Sequence, residues 1–111
     1  GHDVGDNVLK FTANTFVVNN RPFDLYGRWG GEEFIGVIRN INRKDLESLG
    51  NRLRLLIEHS YIIHKNHRLC VTVSIGATLV SENDTLDTLI KRADRLLYKS
   101  KSAGRNCLMI G

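Results

Sequence analysis

The chain has 111 residues, of which 41% are hydrophobic and 25% are charged, and its formal charge is +4. This balance predicts one soluble globular domain with a real core, since no apolar run is long enough to span a bilayer and no basic-then-apolar leader is present. The two cysteines argue against a disulfide scaffold, and the mildly basic charge suits nucleotides without requiring them.

The first predicted helix covers residues 7–18, and Asp6 is a candidate for its N-cap. Apolar residues recur along it at helical spacing and predict one buried face, formed by Val8, Leu9, Ala13, Phe16 and Val17.

Two strand-like segments follow, at residues 23–29 and 33–40. Gly30 and Gly31 connect them, which predicts an antiparallel hairpin with a tight turn.

The second half of the chain predicts two more amphipathic helices, over residues 43–59 and 85–103. Their apolar stripes are formed by Leu46, Leu49, Leu53, Leu56 and Ile57, and by Leu86, Leu89, Ile90, Ala93, Leu96 and Leu97. Asp84 is a candidate N-cap for the last helix, and Gly104 a candidate C′ residue. Strands are predicted at 61–63, at 69–80, which is the clearest, and at 107–110. The fold class is therefore α+β, with helices packed on an antiparallel or mixed sheet.

The predicted hairpin tip carries the most informative residues, Gly30-Gly31-Glu32-Glu33-Phe34. Glycine lets the backbone approach a ligand closely, and adjacent carboxylates suit a hard cation such as Mg²⁺. The tip therefore predicts a site where a metal meets a phosphate. The alternative is a plain hairpin turn with no ligand.

Five motifs, in order and at the expected spacing, resemble those of the GGDEF domain, the catalytic domain of diguanylate cyclases. The resemblance covers the whole chain, and the motifs are Gly1-His2-Asp3-Val4-Gly5-Asp6, Arg21-Pro22-Phe23-Asp24, Gly30-Gly31-Glu32-Glu33-Phe34, Ser74-Ile75-Gly76, and Ala93-Asp94 through Leu97-Tyr98 and Lys101 to Gly104-Arg105-Asn106. It implies a nucleotidyl-cyclase-like fold with a ferredoxin-like core. In that family a strand and helix that carry a metal-binding aspartate precede the Gly-His element, so we expect them to be missing from this chain and the chain alone to have little or no activity.

The resemblance implies an enzyme that joins two GTP molecules into cyclic di-GMP and releases two pyrophosphates. Each domain would bind one GTP, so two domains must face each other as a homodimer. It implies Mg²⁺ or Mn²⁺ as cofactor, a cytoplasmic domain within a parent that can carry a membrane anchor and an N-terminal sensory or regulatory domain, and no nucleic acid polymer as partner.

Roles follow from the same resemblance. Glu32 and Glu33 match the catalytic and metal-binding carboxylates, and Glu32 is the better candidate. Neighbouring strand residues point to opposite faces, so the two carboxylates can share one site only if the turn is distorted there. Asp6 matches the acceptor of the guanine edge, while Gly30 and Gly31 would admit the phosphates. Lys91 and Arg95, four residues apart on one helix face, would hold the terminal phosphates or serve only as a solvated face.

An inhibitory product site is implied at Arg21 and Asp24, which match an R-x-x-D element, with a further contact from Arg52. A surface salt bridge is the alternative for Arg21 and Asp24. Two other functions stay open: a degenerate domain that only senses cyclic di-GMP, and a GTP-binding regulatory domain.

Overall fold

The computed structural model describes residues 4–19 and 24–111, and within them it contains three helices and six strands. The helices are α1 (Val4–Val18), α2 (Arg43–Glu58) and α3 (Leu86–Ser102). The strands are β1 (Leu25–Gly30), β2 (Glu33–Val37), β3 (Ile62–His64), β4 (His67–Leu69), β5 (Ile75–Ala77) and β6 (Leu108–Ile110). All three predicted helices are confirmed, and so is the predicted antiparallel hairpin, which β1 and β2 form.

The strands form three two-stranded sheets, which confirms an α+β fold with mixed pairing. Strands β1 and β2 are antiparallel, as are β3 and β4, whereas β5 and β6 are parallel. The long strand predicted over 69–80 is wrong, because only Ile75–Ala77 of its interior joins a ladder. Val71 and Val73 nevertheless pack against the core, so the apolar pattern there reports burial rather than strand pairing.

Two predicted N-caps are wrong by one or more residues. Helix α1 begins at Val4, so Asp6 lies inside the first turn, where its carboxylate still complements the helix dipole. The N-cap of α3 is Thr85, which forms a reciprocal capping box with Thr88. At the other end of α3, Gly104 follows the C-cap with φ +113°, which confirms its predicted role.

The core cluster consists of Phe16 of α1 with Leu53 and Ile57 of α2, and Tyr26 and Phe34 of the hairpin pack against it. The Phe16 ring stacks on Tyr26 with centroids 5.4 Å apart and meets Phe34 edge-on at 5.3 Å. Leu56 and Leu86, both predicted in buried stripes, are instead 40% and 73% exposed.

Helix α3 packs closely against β5, and an ion pair joins the loop between β5 and α3 to the helix. Gly76 lies directly against the α3 backbone, where a Cβ atom would overlap the amide nitrogen of Leu97 and the carbonyl oxygen of Ala93. Arg92 donates to Thr78 at 2.7 Å, to the Leu79 carbonyl at 2.8 Å and to the Asp84 carboxylate. The hydrogen bonds from Arg92 to the Asp84 carboxylate hold the pKa of that carboxyl well below its usual range.

Candidate nucleotide site at the hairpin tip

The tip of the β1–β2 hairpin is a two-residue turn formed by Gly31 and Glu32. Gly30 pairs with Glu33 and Arg28 pairs with Phe34, so the register shifts by a bulge at Trp29. Gly31 has φ +50°, a conformation that glycine adopts without the steric cost of a Cβ atom. Because Glu32 lies in the turn rather than in the strand, its side chain is exposed to solvent at the end of the hairpin.

The two adjacent carboxylates have different surroundings. Glu33 begins β2 and is half-buried, and its Oε1 lies 3.7 Å from Nζ of Lys101 near the end of α3. A shared site for the two carboxylates requires a distorted turn, and the tip is distorted because Glu32 lies in the turn while Glu33 begins β2. Glu33 is nevertheless paired with a lysine, whereas Glu32 extends into solvent.

Lys101 is the cation that pairs with Glu33, and the sequence interpretation gave it no role. It was recognised only as one letter of the last motif, although that motif's spacing was the available signal. Lys91 is exposed and pairs with Asp87 at 3.1 Å, and Arg95 is exposed on the same helix. At 1.5 Å rise per residue, Lys91 and Arg95 lie about 15 Å and about 9 Å from Lys101 along the α3 axis.

Asp6 lies in the first turn of α1, and this helix forms one wall of a cleft of about 310 Å³ opposite the hairpin. The cleft is lined by Leu9, Lys10, Ala13, Phe16, Val17, Tyr26, Gly27, Arg28 and Phe34. Leu9 and Lys10 follow Asp6 by three and four residues, which places all three on one face of α1. Asp6 therefore lies on the α1 face that borders this cleft.

The donor set at the tip fits a partly hydrated Mg²⁺ or Mn²⁺ ion. In the described part of the chain, no three Asp, Glu, His or Cys side chains cluster as an all-protein metal site would require. Mg²⁺ is commonly bound through one or two carboxylates while water and substrate phosphates complete its shell. Glu32 offers such a carboxylate, and Glu33 would offer a second after release from Lys101.

Two of the three proposed inhibitory residues, Asp24 and Arg52, lie in the described part of the chain. Arg21 lies outside the described residues. Asp24 is buried, with 4% of its surface exposed, and its Oδ1 accepts a hydrogen bond from the backbone N–H of Arg39 at 3.2 Å. Arg52 is exposed on α2 and donates to Oδ1 of Asn19 at 3.0 Å, at the chain position just before residues 20–23.

No helix in the ranges 4–19 and 24–111 is both long and apolar enough to cross a membrane.

Curated relatives match almost the whole chain. The response regulator PleD of Caulobacter vibrioides is 38% identical over 112 residues, covering 98% of this chain and 25% of PleD. The diguanylate cyclase DgcZ of Escherichia coli is 34% identical, covering 99% of this chain and 38% of DgcZ. The chain therefore spans about a quarter to two fifths of the length of these relatives.

Solved structures agree with the fold. The GGDEF domain of DgcB from Caulobacter crescentus, in complex with c-di-GMP, superimposes with a TM-score of 0.93 at 26% identity, covering 99% of this chain and 66% of that one. The active GGEEF domain of a diguanylate cyclase from Vibrio cholerae gives a TM-score of 0.82 at 31% identity, with 99% and 70% coverage.

The family model described as "Diguanylate cyclase, GGDEF domain" matches residues 1–107. This match covers nearly all of the chain and includes all five motifs, from Gly1 to Asn106. The chain belongs to the GGDEF domain family of diguanylate cyclases.

Proposed function

We propose that the protein containing this chain is a diguanylate cyclase that condenses two GTP molecules into cyclic di-GMP and two pyrophosphates. The observation that carries the proposal is the hairpin tip, where Gly30 and Gly31 leave the backbone open and Glu32 is presented to solvent. The similar Vibrio cholerae domain is described as an active GGEEF domain, the same variant of the signature found here. We assign residues 1–111 to a single domain of this kind.

The substrate would lie between the tip and the α1 cleft. Asp6 would accept hydrogen bonds from the N1 and N2 edge of guanine, since a carboxylate accepts two parallel N–H donors well. The backbone at Gly30 and Gly31 would approach the phosphates. When bound through Glu32, Mg²⁺ or Mn²⁺ supplies charge neutralisation on the phosphates. In each half-reaction a ribose 3′-hydroxyl attacks the α-phosphate of the opposite GTP, which requires two domains facing each other.

The remaining proposed roles belong to Glu33 and to three basic residues of α3. Glu33 would act as a metal ligand or assist removal of the 3′-hydroxyl proton once Lys101 moves to a phosphate. Lys101 is the cation that would leave Glu33 in this step, because its Nζ lies 3.7 Å from Oε1 of Glu33. Lys91 and Arg95 stay predictions as contacts to terminal phosphates, at a point farther along α3.

The cellular setting is also a proposal. We place the domain in the cytoplasm and expect its parent to carry a sensory or regulatory domain. PleD is named a response regulator, and this chain covers a quarter of it. SiaD of Pseudomonas aeruginosa, 32% identical over the whole of this chain with a TM-score of 0.93, was solved with its activator SiaC. We propose that this domain is likewise controlled by an attached domain or a partner protein.

Product feedback at Arg21, Asp24 and Arg52 is proposed as the second function of the domain. The DgcB domain was solved with c-di-GMP, so domains of this fold bind the product. The bond from Arg52 to Asn19 supports the proposal because it brings the guanidinium to the chain segment that leads to Arg21. The Asp24 carboxylate is buried and accepts a hydrogen bond from the Arg39 backbone, which would hold the end of the segment that carries Arg21.

The competing function is a receptor that binds cyclic di-GMP without making it. Incubation of the full-length protein with GTP and Mg²⁺ separates the two. We expect cyclic di-GMP and pyrophosphate in a 1:2 ratio, and product binding without turnover would instead establish the receptor.

Replacing Arg21 tests the inhibitory site. Arg21→Ala should weaken cyclic di-GMP binding by about 30-fold or more and relieve feedback, because a bidentate phosphate contact is lost. Arg52→Ala should have a smaller effect in the same direction, and Arg68→Ala on β4 should have none. Isothermal titration calorimetry measures the affinity, and an unchanged value for Arg21→Ala would contradict the assignment.

A further inference from the structure

Arg28 forms two side-chain hydrogen bonds at the hairpin turn. Its Nε donates to the carbonyl oxygen of Gly31 at 2.8 Å, and Nη2 donates to the same oxygen at 2.5 Å. The side chain thus reaches from β1 over the bulge at Trp29 to the turn residue that immediately precedes Glu32.

This contact constrains the orientation of the peptide unit between Gly31 and Glu32. The Gly31 carbonyl belongs to the peptide unit that joins Gly31 to Glu32, so its direction sets the plane from which the Glu32 side chain departs. Glycine populates both signs of φ readily, and a Cβ atom at Gly30 or Gly31 would meet no other atom within 4 Å. Neither packing around the two glycines nor their backbone preference therefore fixes this peptide plane, so the hydrogen bonds from Arg28 add a constraint on its carbonyl oxygen to the Gly30–Glu33 pairing of the hairpin.

We propose that Arg28 is a positioning residue, which fixes the Gly31–Glu32 peptide and thereby aims the Glu32 carboxylate. The planar guanidinium forks onto one carbonyl oxygen, and charge-assisted bonds of this kind are stronger than neutral ones. A lysine at this position would keep the charge and lose the fork. The inference rests on the proposed function for its consequence, while the fixing of the turn itself does not.

The first test measures the turn without nucleotide or metal. In the full-length protein, Arg28→Gln should accelerate amide hydrogen exchange in the peptide spanning residues 28–36 by about fivefold or more. Arg28→Lys should give an intermediate increase. Arg68→Ala is the matched control, because Arg68 is also an exposed arginine on a two-stranded hairpin, and it should leave the 28–36 exchange unchanged.

The second test separates positioning from substrate contact. If Arg28 acts through Glu32, Arg28→Lys should lower kcat about tenfold, leave KM for GTP within about twofold, and raise the Mg²⁺ concentration needed for half-maximal rate. Exchange at 28–36 equal to that of the unmodified protein would overturn the proposal, even if activity fell, because Arg28 would then act on substrate directly. Accelerated exchange in a protein that makes no cyclic di-GMP would support the turn assignment and refute only the proposed function.

Discussion

Glu32→Gln is expected to reduce cyclic di-GMP formation from GTP and Mg²⁺ by about 10³-fold or more. The substitution keeps the shape of the side chain and removes the negative charge, so the tip loses its anionic oxygen ligand for a hard cation. Removing one preorganised electrostatic contact from an active site commonly costs 10²- to 10³-fold in kcat, and here the contact also orders the cofactor. Steady-state product formation in the full-length protein measures the effect.

The control for this variant is Glu82→Gln, which removes the same charge from an exposed loop residue on the approach to α3. It should retain full activity. Both variants should unfold within about 0.5 kcal/mol of the unmodified protein, because exposed substitutions rarely change stability. Turnover by Glu32→Gln at a rate close to that of Glu82→Gln would remove Glu32 from the metal site.

Gly76→Ala is expected to give the largest loss of stability among alanine substitutions at the glycines of residues 24–111. The new methyl group would overlap the backbone of α3 at Ala93 and Leu97, and a helix backbone cannot rotate away as a flexible side chain does. We expect the free energy of unfolding to fall by about 3 kcal/mol. For a domain of this size that corresponds to a melting temperature lower by about 12 °C. Thermal unfolding followed by circular dichroism measures it.

Gly27→Ala provides the comparison, because a Cβ atom at Gly27 would meet nothing within 4 Å. Both substitutions add the same methyl group to a strand, so they differ mainly in the space available. Gly27→Ala should change the melting temperature by no more than about 2 °C. Equal effects at the two positions would mean that α3 does not lie against β5 as described.

Much of the fold could be predicted from the sequence because its elements are local. The helices followed from apolar spacing and the hairpin from Gly30-Gly31, and both signals depend on neighbouring residues alone. The strand predicted over 69–80 was wrong because strand formation depends on a distant partner. Likewise Asp84 resembled an N-cap locally, whereas the structure commits its carboxylate to Arg92, eight residues away.

The same distinction between local and distant contacts applies to the candidate site. Glu32 in the turn was predictable, since the signature and the two glycines lie within five consecutive residues. The pairing of Glu33 with Lys101 joins residues 68 positions apart, and no periodicity or local spacing could reveal it. The contact of Arg28 with Gly31 spans only three residues, yet it depends on the bulge at Trp29, which the sequence pattern did not predict.

A crystal structure of the full-length protein with Mg²⁺ and a non-hydrolysable GTP analogue would test the central claim most directly. We predict a cation bound to the Glu32 carboxylate and to the analogue's phosphates, with the phosphates against the Gly30-Gly31 backbone and guanine beside Asp6. An analogue bound at another surface, with the Glu32 carboxylate facing only solvent, would contradict the account.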